Sequence, residues 1–439
     1  MPDENHLVVR SALQLGYEGT ARLAGVGATL AALLPPADGK LVRALRARCG
    51  IRDRFRSWGE RGRDPARPLL WMHAPSVGEG LQARPVLQLV RQRHATLQLA
   101  YTHFSPSAES FARSLDVDFR DYLPFDSAED ARVALDALRP TALVFSKLDV
   151  WPTLTNRAHL SGVKLGLVSA TLADRSSRRS RLAIALLAGA YGLLDAVGAI
   201  DAEDAERLVQ LGVRRNVITV TGDTRYDQVW QRAQAVDRST PPLAGLLSSR
   251  LTIVAGSTWP ADERMLLPAF VAARRAFGSA RLVIAPHEPT PAHLAPIEQW
   301  ASQERLRVDR LDEANEASDV ILVDRVGILG DLYALADIAF VGGGFHDAGL
   351  HSVLEPAAFG APVVFGPRNA SSRDARLLVR CDGGRAASGA ASLADMLTGW
   401  LGDTAARTAA GARAATMVRG GLGAAERSLA VVEALLGLA

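Results

Sequence analysis

Short apolar runs recur along the chain, and each is followed by a stretch in which apolar residues repeat with helical spacing. Runs of this length are typical of buried parallel strands. Strands that alternate with helices form parallel sheets covered by helices. The pattern therefore predicts an α/β protein made of two successive series. The predicted strands are Leu69–Met72, Leu97–Tyr101, Ala142–Phe145, Val163–Val168, Ala196–Ile200, Val217–Val220, Leu251–Ala255, Arg281–Ile284, Val320–Val323, Ile338–Val341 and Pro362–Phe365.

Interruptions of this pattern divide the chain into four parts. Residues 1–67 precede the first strand, residues 68–235 hold the first series, and residues 250–439 hold the second. Residues 236–249 lie between them and are predicted to be a linker. We expect two Rossmann-like, doubly wound domains that face one another across a cleft, an arrangement that suits a nucleotide-sugar transferase. We also consider that the final helix, Ala424–Leu438, crosses back to the first domain.

The N-terminal segment combines an amphipathic stretch with a basic one. Residues Leu7–Leu34 are predicted to form one or two amphipathic helices, with an uncharged part shorter than the roughly 20 residues that span a bilayer. Such helices beside a basic cluster bind anionic lipid surfaces, so we expect a membrane-associating helix here. The alternative is a helix packed on the protein's own core. The basic residues are Lys40, Arg43, Arg46, Arg48, Arg52, Arg54, Arg56, Arg61, Arg63 and Arg67.

The composition of the chain argues against several classes of partner and site. A net charge of +3 is small for 439 residues and does not suggest a nucleic-acid partner. Cys49 and Cys381 are far apart in the sequence and form no CxxC motif, which argues against a zinc site or a disulfide framework. Asp116-Val117-Asp118 resembles a metal-binding DxD motif only superficially. We therefore assign no metal to these residues, and we expect no cofactor.

The stretch around Ile338–Val341 is the strongest candidate for a nucleotide site. This apolar run ends in three glycines, Gly342, Gly343 and Gly344, where the backbone can approach a ligand closely. Ser352 is expected to cap the helix that follows, and a helix N-terminus after a glycine turn favours a phosphate. Glu355 lies one turn into that helix and can accept hydrogen bonds from both ribose hydroxyls. The alternatives are a solvated glutamate and glycines needed only for packing.

Seven stretches, in the same order, resemble the Kdo transferases of lipopolysaccharide biosynthesis, which transfer 3-deoxy-D-manno-oct-2-ulosonic acid (Kdo). This resemblance implies the two-domain GT-B fold and inverting, metal-independent transfer of Kdo from CMP-Kdo to a lipid A precursor. It also implies a location at the cytoplasmic face of the cell inner membrane. The stretches are His73–Glu79, Tyr122–Asp126, Trp151-Pro152, Gly222–Asp227, Ala255–Thr258, Val341–Gly343 and His351–Pro356.

The chain departs from the family pattern at three places. Lys147-Leu148-Asp149-Val150-Trp151-Pro152 stands where many members have Glu-x-Glu-x-Trp-Pro, so the first acid is a lysine. Pro286–Pro291 lacks the arginine of a Pro-Arg-His-Pro-Glu-Arg motif, and Gly349–Ser352 replaces Gly-Gly-His-Asn. These changes leave the activity class in place and leave open the acceptor and the number of sugars added.

The roles of the family's site residues can be assigned to the matching positions of this chain. The resemblance makes Glu79 the general base, although a glutamate here could also cap its helix. Lys147 and Asp149 are expected near the acceptor or in a structural ion pair, and His287 is either a donor to the ligand or structural. Arg225 is expected to contact an anion. The remaining positions are Ser76 for the acceptor, and Ser257, Thr258, Gly342, Gly343, Gly344, His351, Glu355 and Asn369 for the nucleotide sugar.

Two other functions stay open at this point. A GT-B transferase or an epimerase that uses a UDP-sugar would also need Glu355 and the glycine turn. The Ser76–Glu79 motif favours Kdo transfer over that alternative. A non-catalytic membrane-associated binding protein is the other candidate, and the retention of Glu79, His351 and Glu355 argues against it.

Overall fold

The computed structural model describes residues 40–173 and 176–438. They form two compact units, one made of the described residues up to 228 together with 422–438, the other of Val229–Gly421. Each unit contains a sheet of seven parallel strands. The predicted α/β class and the two parallel sheets are therefore confirmed. The predicted helices in Leu7–Leu34 lie outside the described residues.

The first unit is built on a sheet with strand order β3-β2-β1-β4-β5-β6-β7. Leu69 and Trp71 of β1 belong to one core, and Leu70 and Met72 belong to the other, so helices cover both faces of this sheet. The strands are β1 (Leu69–His73), β2 (Gln98–His103), β3 (Phe119–Tyr122), β4 (Ala142–Ser146), β5 (Lys164–Ala170), β6 (Ala196–Ala199) and β7 (Ile218–Val220). The helices are α1 (Lys40–Ala47), α2 (Ile51–Arg61), α3 (Val77–Arg93), α4 (Glu109–Arg113), α5 (Ala128–Leu138), α6 (Pro152–Leu160), α7 (Arg181–Gly192), α8 (Ala202–Gln210) and α9 (Thr224–Ala235).

The second unit repeats this design with strand order β10-β11-β9-β8-β12-β13-β14. Its strands are β8 (Thr252–Thr258), β9 (Arg281–Pro286), β10 (Val308–Arg310), β11 (Val320–Leu322), β12 (Ile338–Val341), β13 (Val363–Phe365) and β14 (Gly384–Ala386). Its helices are α10 (Leu243–Leu246), α11 (Pro260–Ala276), α12 (Pro291–Gln303), α13 (Leu329–Leu332), α14 (Leu354–Ala358), α15 (Arg373–Arg380), α16 (Ala390–Gly402) and α17 (Thr404–Gly420).

The last helix, α18 (Ala424–Leu436), belongs to the first unit. The carboxylate of Asp227 accepts hydrogen bonds from the backbone N–H groups of Gly423, at 2.7 Å, and Ala425, at 2.8 Å. Leu435 packs where Gly166 of β5 has no side chain. The chain therefore crosses back as considered above. The units also divide at Gln228 and Val229, inside α9, rather than at the predicted linker.

Several residues of the N-terminal basic run have structural roles. Arg48 is buried, and its guanidinium donates to the carbonyls of Leu123, at 2.9 Å, and Phe104, at 3.0 Å. Burial lowers its pKa to about 10. Arg63 is also buried and donates to the carbonyl of Leu138 at 2.6 Å. The expectation that the whole run serves anionic headgroups is therefore wrong for these residues, because their charges hold the first unit together. None of the helices within 40–173 and 176–438 is long and apolar enough to cross a membrane.

Candidate functional site

The candidate acceptor residues of the first unit lie where its strand order reverses. Strands β1 and β4 are neighbours whose connections leave in opposite directions, and ligands of α/β sheets bind at the carboxyl ends of such pairs. Ser76 follows β1 and is the N-cap residue of α3, Glu79 lies in the first turn of α3, and Lys147 follows β4. The structure therefore brings these three predicted residues to one edge of the sheet.

Side chains hold the Glu79 carboxylate on both of its oxygens. The Ser76 hydroxyl donates to Oε2, and the Lys147 ammonium lies 3.1 Å from Oε1. Ser146 donates to the backbone carbonyl of Glu79 at 3.1 Å. Within the described residues, the Ser76 side chain makes no hydrogen bond that caps the helix. The contacts of Ser76 and Glu79 therefore differ from those of a reciprocal helix cap, which is the structural alternative to a catalytic role for Glu79.

Asp149 belongs to a separate network at the same edge. Its carboxylate accepts a hydrogen bond from the Trp151 indole at 3.0 Å and one from Arg178 at 3.2 Å, and it lies 3.5 Å from Nε2 of His73. Burial raises its pKa, but the contacts with His73 and Arg178 outweigh burial and hold the pKa below its ordinary value. The ion pairs found are therefore Lys147 with Glu79 and Asp149 with Arg178. His73, the last residue of β1, and Arg178 were not predicted as partners of Asp149, because nothing in the sequence marks either residue as close to it.

Two of the motifs shared with the family have structural roles here. Asp126 accepts from the backbone N–H groups of Thr153, at 2.9 Å, and Leu154, at 2.7 Å, and so fixes the start of α6. Arg225, predicted to contact an anion, donates to the buried carboxylate of Asp223 at 2.8 Å. Burial raises the pKa of Asp223, but Arg225 outweighs this effect and lowers it overall.

His103 lies at the carboxyl end of β2 in an unusual environment. Its side chain is buried, and within the described part of the chain neither ring nitrogen has a hydrogen-bond partner. Its ring centroid is 4.2 Å from that of Tyr122. Burial lowers its pKa to about 4, so the imidazole is neutral at physiological pH.

In the second unit the strand order reverses between β8 and β12. Ser257 and Thr258 are the last two residues of β8, and the glycine turn follows β12. Ser257 is half-buried and has a left-handed backbone, with φ 53°. Thr258 is buried, and its hydroxyl donates to Glu263 at 2.8 Å. Glu263 also contacts Nε2 of His293 at 2.9 Å, but burial dominates and raises the pKa of Glu263. Ser257 is thus the more accessible of the two predicted contacts.

The glycine turn is held by a buried carboxylate that the motif search missed. Asp262, in the first turn of α11, accepts from the N–H groups of Gly343, at 2.7 Å, and Phe345, at 3.0 Å. A Cβ at Gly342 would overlap the carbonyl of Ser257, and one at Gly344 would overlap Gly366. The glycines therefore permit close backbone packing, and Asp262 already binds the Gly343 N–H that a phosphate could use. The sequence does contain one indication of Asp262. It is an acidic residue three positions after Trp259, which is the spacing of a capping box.

Four rings cluster beside the glycine turn. Trp259 stacks with His287, at 4.6 Å between ring centroids, and with His346, at 4.4 Å. The Trp259 indole donates to Nε2 of His351 at 3.2 Å, and His351 lies 4.6 Å from His287. Burial, together with the neighbouring His287, lowers the pKa of His351. The structure therefore brings the predicted residues His287 and His351 together and adds Trp259 and His346.

Glu355 lies in α14, a helix of only five residues. Val353 is its N-cap and Ser352 is exposed, so the expected cap by Ser352 is wrong because the helix begins one residue later. Glu355 is half-buried, and its side chain hydrogen-bonds to no other residue in the described part of the chain. Burial raises its pKa, and nearby Arg232 partly offsets this. Its carboxylate is therefore open to a ligand's hydroxyl groups.

Asn369 follows β13, as expected for the rim of the nucleotide site. Its side-chain amide donates to the carbonyls of Gly366, at 3.1 Å, and Pro367, at 3.2 Å. The amide group thus fixes its own loop, and only the carbonyl oxygen remains for a ligand. Across the residues that the structure describes, no group of three or more His, Cys, Asp or Glu side chains is placed to hold a metal ion.

Comparison with known proteins places this geometry in a family. The family model for 3-deoxy-D-manno-octulosonic-acid transferase (kdotransferase) matches residues 46–228. The 3-deoxy-D-manno-octulosonic acid transferase of Bordetella pertussis is 30% identical over 401 residues, which cover 88% of this chain and 91% of that protein. This chain belongs to the Kdo transferase family. It is therefore a glycosyltransferase. The Haemophilus influenzae enzyme of the same name is 26% identical, with 74% of this chain and 76% of that protein covered.

Solved structures with the same fold include enzymes of more than one kind. UDP-GlcNAc 2-epimerase from Neisseria meningitidis matches with a TM-score of 0.60 and 12% identity, over 84% of this chain and 99% of that one. A glycosyltransferase from Rickettsia africae matches with a TM-score of 0.56 and 10% identity, over 85% of this chain and 100% of that one. At these identities the likeness confirms a GT-B-like fold for the Kdo transferase and decides nothing about its substrate.

The buried His103 makes the stability of the first unit depend on pH. Its folded-state pKa of about 4 is lower than the value of about 6.5 for a histidine in an unfolded chain. Between these values the unfolded chain binds a proton that the folded chain does not, so the free energy of unfolding falls as pH drops. We expect His103 to contribute up to about 3 kcal/mol of this loss between pH ~7 and pH ~4. Urea unfolding of wild type and His103→Phe at several pH values measures this contribution.

The matched control is His159→Phe, because His159 is an exposed histidine of the same unit. His103→Phe should flatten the dependence of the free energy of unfolding on pH, while His159→Phe should leave it as in the wild type. Equal pH dependence in all three proteins would show that His103 titrates normally in the folded state.

Proposed function

We propose that this Kdo transferase moves Kdo from CMP-Kdo to a lipid A precursor, with inversion at the anomeric carbon and without a metal ion. The observation that carries the proposal is the Glu79 carboxylate, held on both oxygens at the reversal of strand order in the first unit. An acceptor hydroxyl is a poor nucleophile at neutral pH, and a fixed carboxylate is a suitable proton acceptor. Membership of the Kdo transferase family supports Kdo as the transferred sugar. The geometry of the site supports Glu79 as the general base.

The reaction follows from the position of Glu79. Its carboxylate takes the proton of the acceptor hydroxyl while that oxygen forms a bond to the anomeric carbon of Kdo. The bond between this carbon and the phosphate oxygen of CMP breaks on the opposite side, and the electron pair leaves with CMP. Attack opposite the leaving group inverts the configuration. Ser76 and Lys147 hold the base during this step.

The second unit supplies groups that fit the donor. Glu355 has an open carboxylate for the ribose hydroxyls, and Ser257, His287 and His351 can donate to the phosphate and to the carboxylate of Kdo. The backbone N–H of Gly343 is already bound by Asp262, so side chains are expected to carry more of the phosphate binding than the glycine turn does. A UDP-sugar would meet the same groups, but the family relationship gives no support to that alternative. The cleft between the two domains stays a prediction.

We also propose that the protein works at the cytoplasmic face of the inner membrane. The proposed acceptor is a lipid and the proposed donor is a water-soluble nucleotide sugar, so the reaction joins substrates from two phases. The prediction from sequence that Leu7–Leu34 forms amphipathic helices supports a lipid surface, because helices of this kind bind there.

If Glu355 binds the ribose, Glu355→Ala should weaken CMP binding roughly tenfold or more, because hydrogen bonds to a charged acceptor contribute about 1.5–3 kcal/mol each. The fold should be unaffected, since the Glu355 side chain makes no hydrogen bond to another described residue. Calorimetric titration with CMP measures the change. Glu304→Ala, at an exposed position after α12, is the matched control and should bind CMP like the wild type. An unchanged dissociation constant for Glu355→Ala would remove Glu355 from the site.

If Glu79 is the general base, Glu79→Gln should lower kcat by about 10²- to 10⁴-fold with CMP-Kdo and a lipid A precursor. The amide keeps the shape of the side chain, so the affinity for CMP-Kdo should change little. Glu60→Gln, an exposed glutamate of the same unit, is the matched control. Normal turnover by Glu79→Gln would mean that another group, with Asp149 as the next candidate, takes the proton.

A further inference from the structure

Lys147 combines a side chain that is rare in this chain with an unusual backbone conformation. Only three of the 50 basic residues are lysines, at positions 40, 147 and 164. Lys147 has a left-handed backbone with φ 67°, which side chains other than glycine rarely adopt. Backbone strain of this kind persists where the surrounding structure enforces it, and it is concentrated at functional sites. The conformation ends β4 and directs the side chain to Glu79.

The contact that this conformation produces is specific. The Lys147 ammonium meets one oxygen of Glu79 at 3.1 Å, and the Ser76 hydroxyl meets the other. The side chain of Glu79 is 17% exposed and that of Lys147 is 43% exposed, so the carboxylate is confined while the ammonium keeps access to solvent. Lys147 and Ser76 thus contact different oxygens of the Glu79 carboxylate. Together they fix its plane and leave lone pairs on both oxygens.

The type of cation matters for this arrangement. An arginine at position 147 could bind both carboxylate oxygens through its two parallel N–H groups and would compete with the acceptor for the base. An ammonium is a point charge that contacts a single oxygen here. A glutamate, as in the Glu-x-Glu-x-Trp-Pro pattern, would place a like charge against Glu79. A lysine is therefore the basic residue that orients this carboxylate and still leaves it open.

We propose that Lys147 is a positioning residue for the general base: it orients Glu79 toward the acceptor hydroxyl and acts on the reaction only through Glu79. This inference rests on the proposed function, in which Glu79 takes the proton. Misplacing a catalytic group by about 1 Å can cost on the order of 10²-fold in rate. Loss of the ammonium should therefore lower kcat and leave the KM for CMP-Kdo nearly unchanged.

The test is a double-mutant cycle measured with CMP-Kdo and a lipid A precursor. Lys147→Met should lower kcat roughly 10- to 100-fold in the wild-type background. In the Glu79→Gln background the same substitution should change kcat less than about threefold, because effects that pass through one group are not additive. Lys164→Met, at the exposed start of β5, is the control and should not affect either background.

Two further variants exclude trivial explanations. Lys147→Gly removes the ammonium and also relieves the left-handed backbone, so its thermal midpoint should equal or exceed that of the wild type while its kcat falls like that of Lys147→Met. Lys147→Cys treated with 2-bromoethylamine regains an ammonium at nearly the same distance and should recover most of the lost turnover. Wild type treated in parallel controls for alkylation of Cys49 and Cys381.

Each outcome has a definite meaning. Equal losses from Lys147→Met in both backgrounds would overturn the positioning role, because Lys147 would then act independently of Glu79. Failure of the alkylated cysteine to recover turnover would overturn it as well. Absence of CMP release by the wild type would instead overturn the proposed function, and the role of Lys147 with it.

Discussion

In each unit, two neighbouring parallel strands at the centre of the sheet continue into connections that leave in opposite directions, and the rest of the site depends on this reversal. The pairs are β1 with β4 and β8 with β12. No crossover helix covers the carboxyl ends of such a pair, so the residues that follow the strands stay accessible. Glu79 and Lys147 follow the first pair. In the second pair, Ser257 lies near the carboxyl end of β8 and Gly342 follows β12. The buried strands supply the stability, and the loops after them are free to carry chemistry.

Carboxylates that bind backbone N–H groups hold these loops in place. Asp126 fixes the start of α6, Asp227 fixes the start of α18, and Asp262 ties the glycine turn to the start of α11. Each joins segments that are distant in the sequence, and each satisfies N–H groups that a helix start or a turn leaves unpaired. The candidate catalytic carboxylate differs from all three. Glu79 is held by a hydroxyl and an ammonium, which leaves it able to accept a proton.

Buried strands could be predicted from the sequence, whereas three of the four edge strands of these sheets, and the partners of side chains in space, could not. The apolar runs identified all the central strands, but β3, β10 and β14 were missed. These three lie at sheet edges and carry polar residues such as Arg120, Asp309 and Arg385, so their composition does not resemble that of a buried strand. The arginine run was misread for a related reason. A sequence shows the charge of Arg48 and Arg63 but not the carbonyl groups that they bind across the fold.

Contacts between distant residues were also missed at the candidate site. The family resemblance assigned Ser76, Glu79 and Lys147 to the acceptor side, and the structure shows that they follow two adjacent strands. Motif spacing did not reveal Asp262, since an acid in the first turn of a helix is ordinary in sequence and its bond to Gly343 spans 81 positions. Trp259 and His346 were missed because aromatic stacking leaves no local pattern.

The proposed Kdo transfer is tested most directly by the identity of the sugar nucleotide, and nucleotide release measures it. The full chain is incubated with CMP-Kdo or with UDP-GlcNAc, each with and without a lipid A precursor, and released CMP and UDP are quantified. We expect CMP release from CMP-Kdo that requires the lipid acceptor, and no UDP release. Release of UDP, or failure to consume CMP-Kdo in the presence of the acceptor, would contradict it.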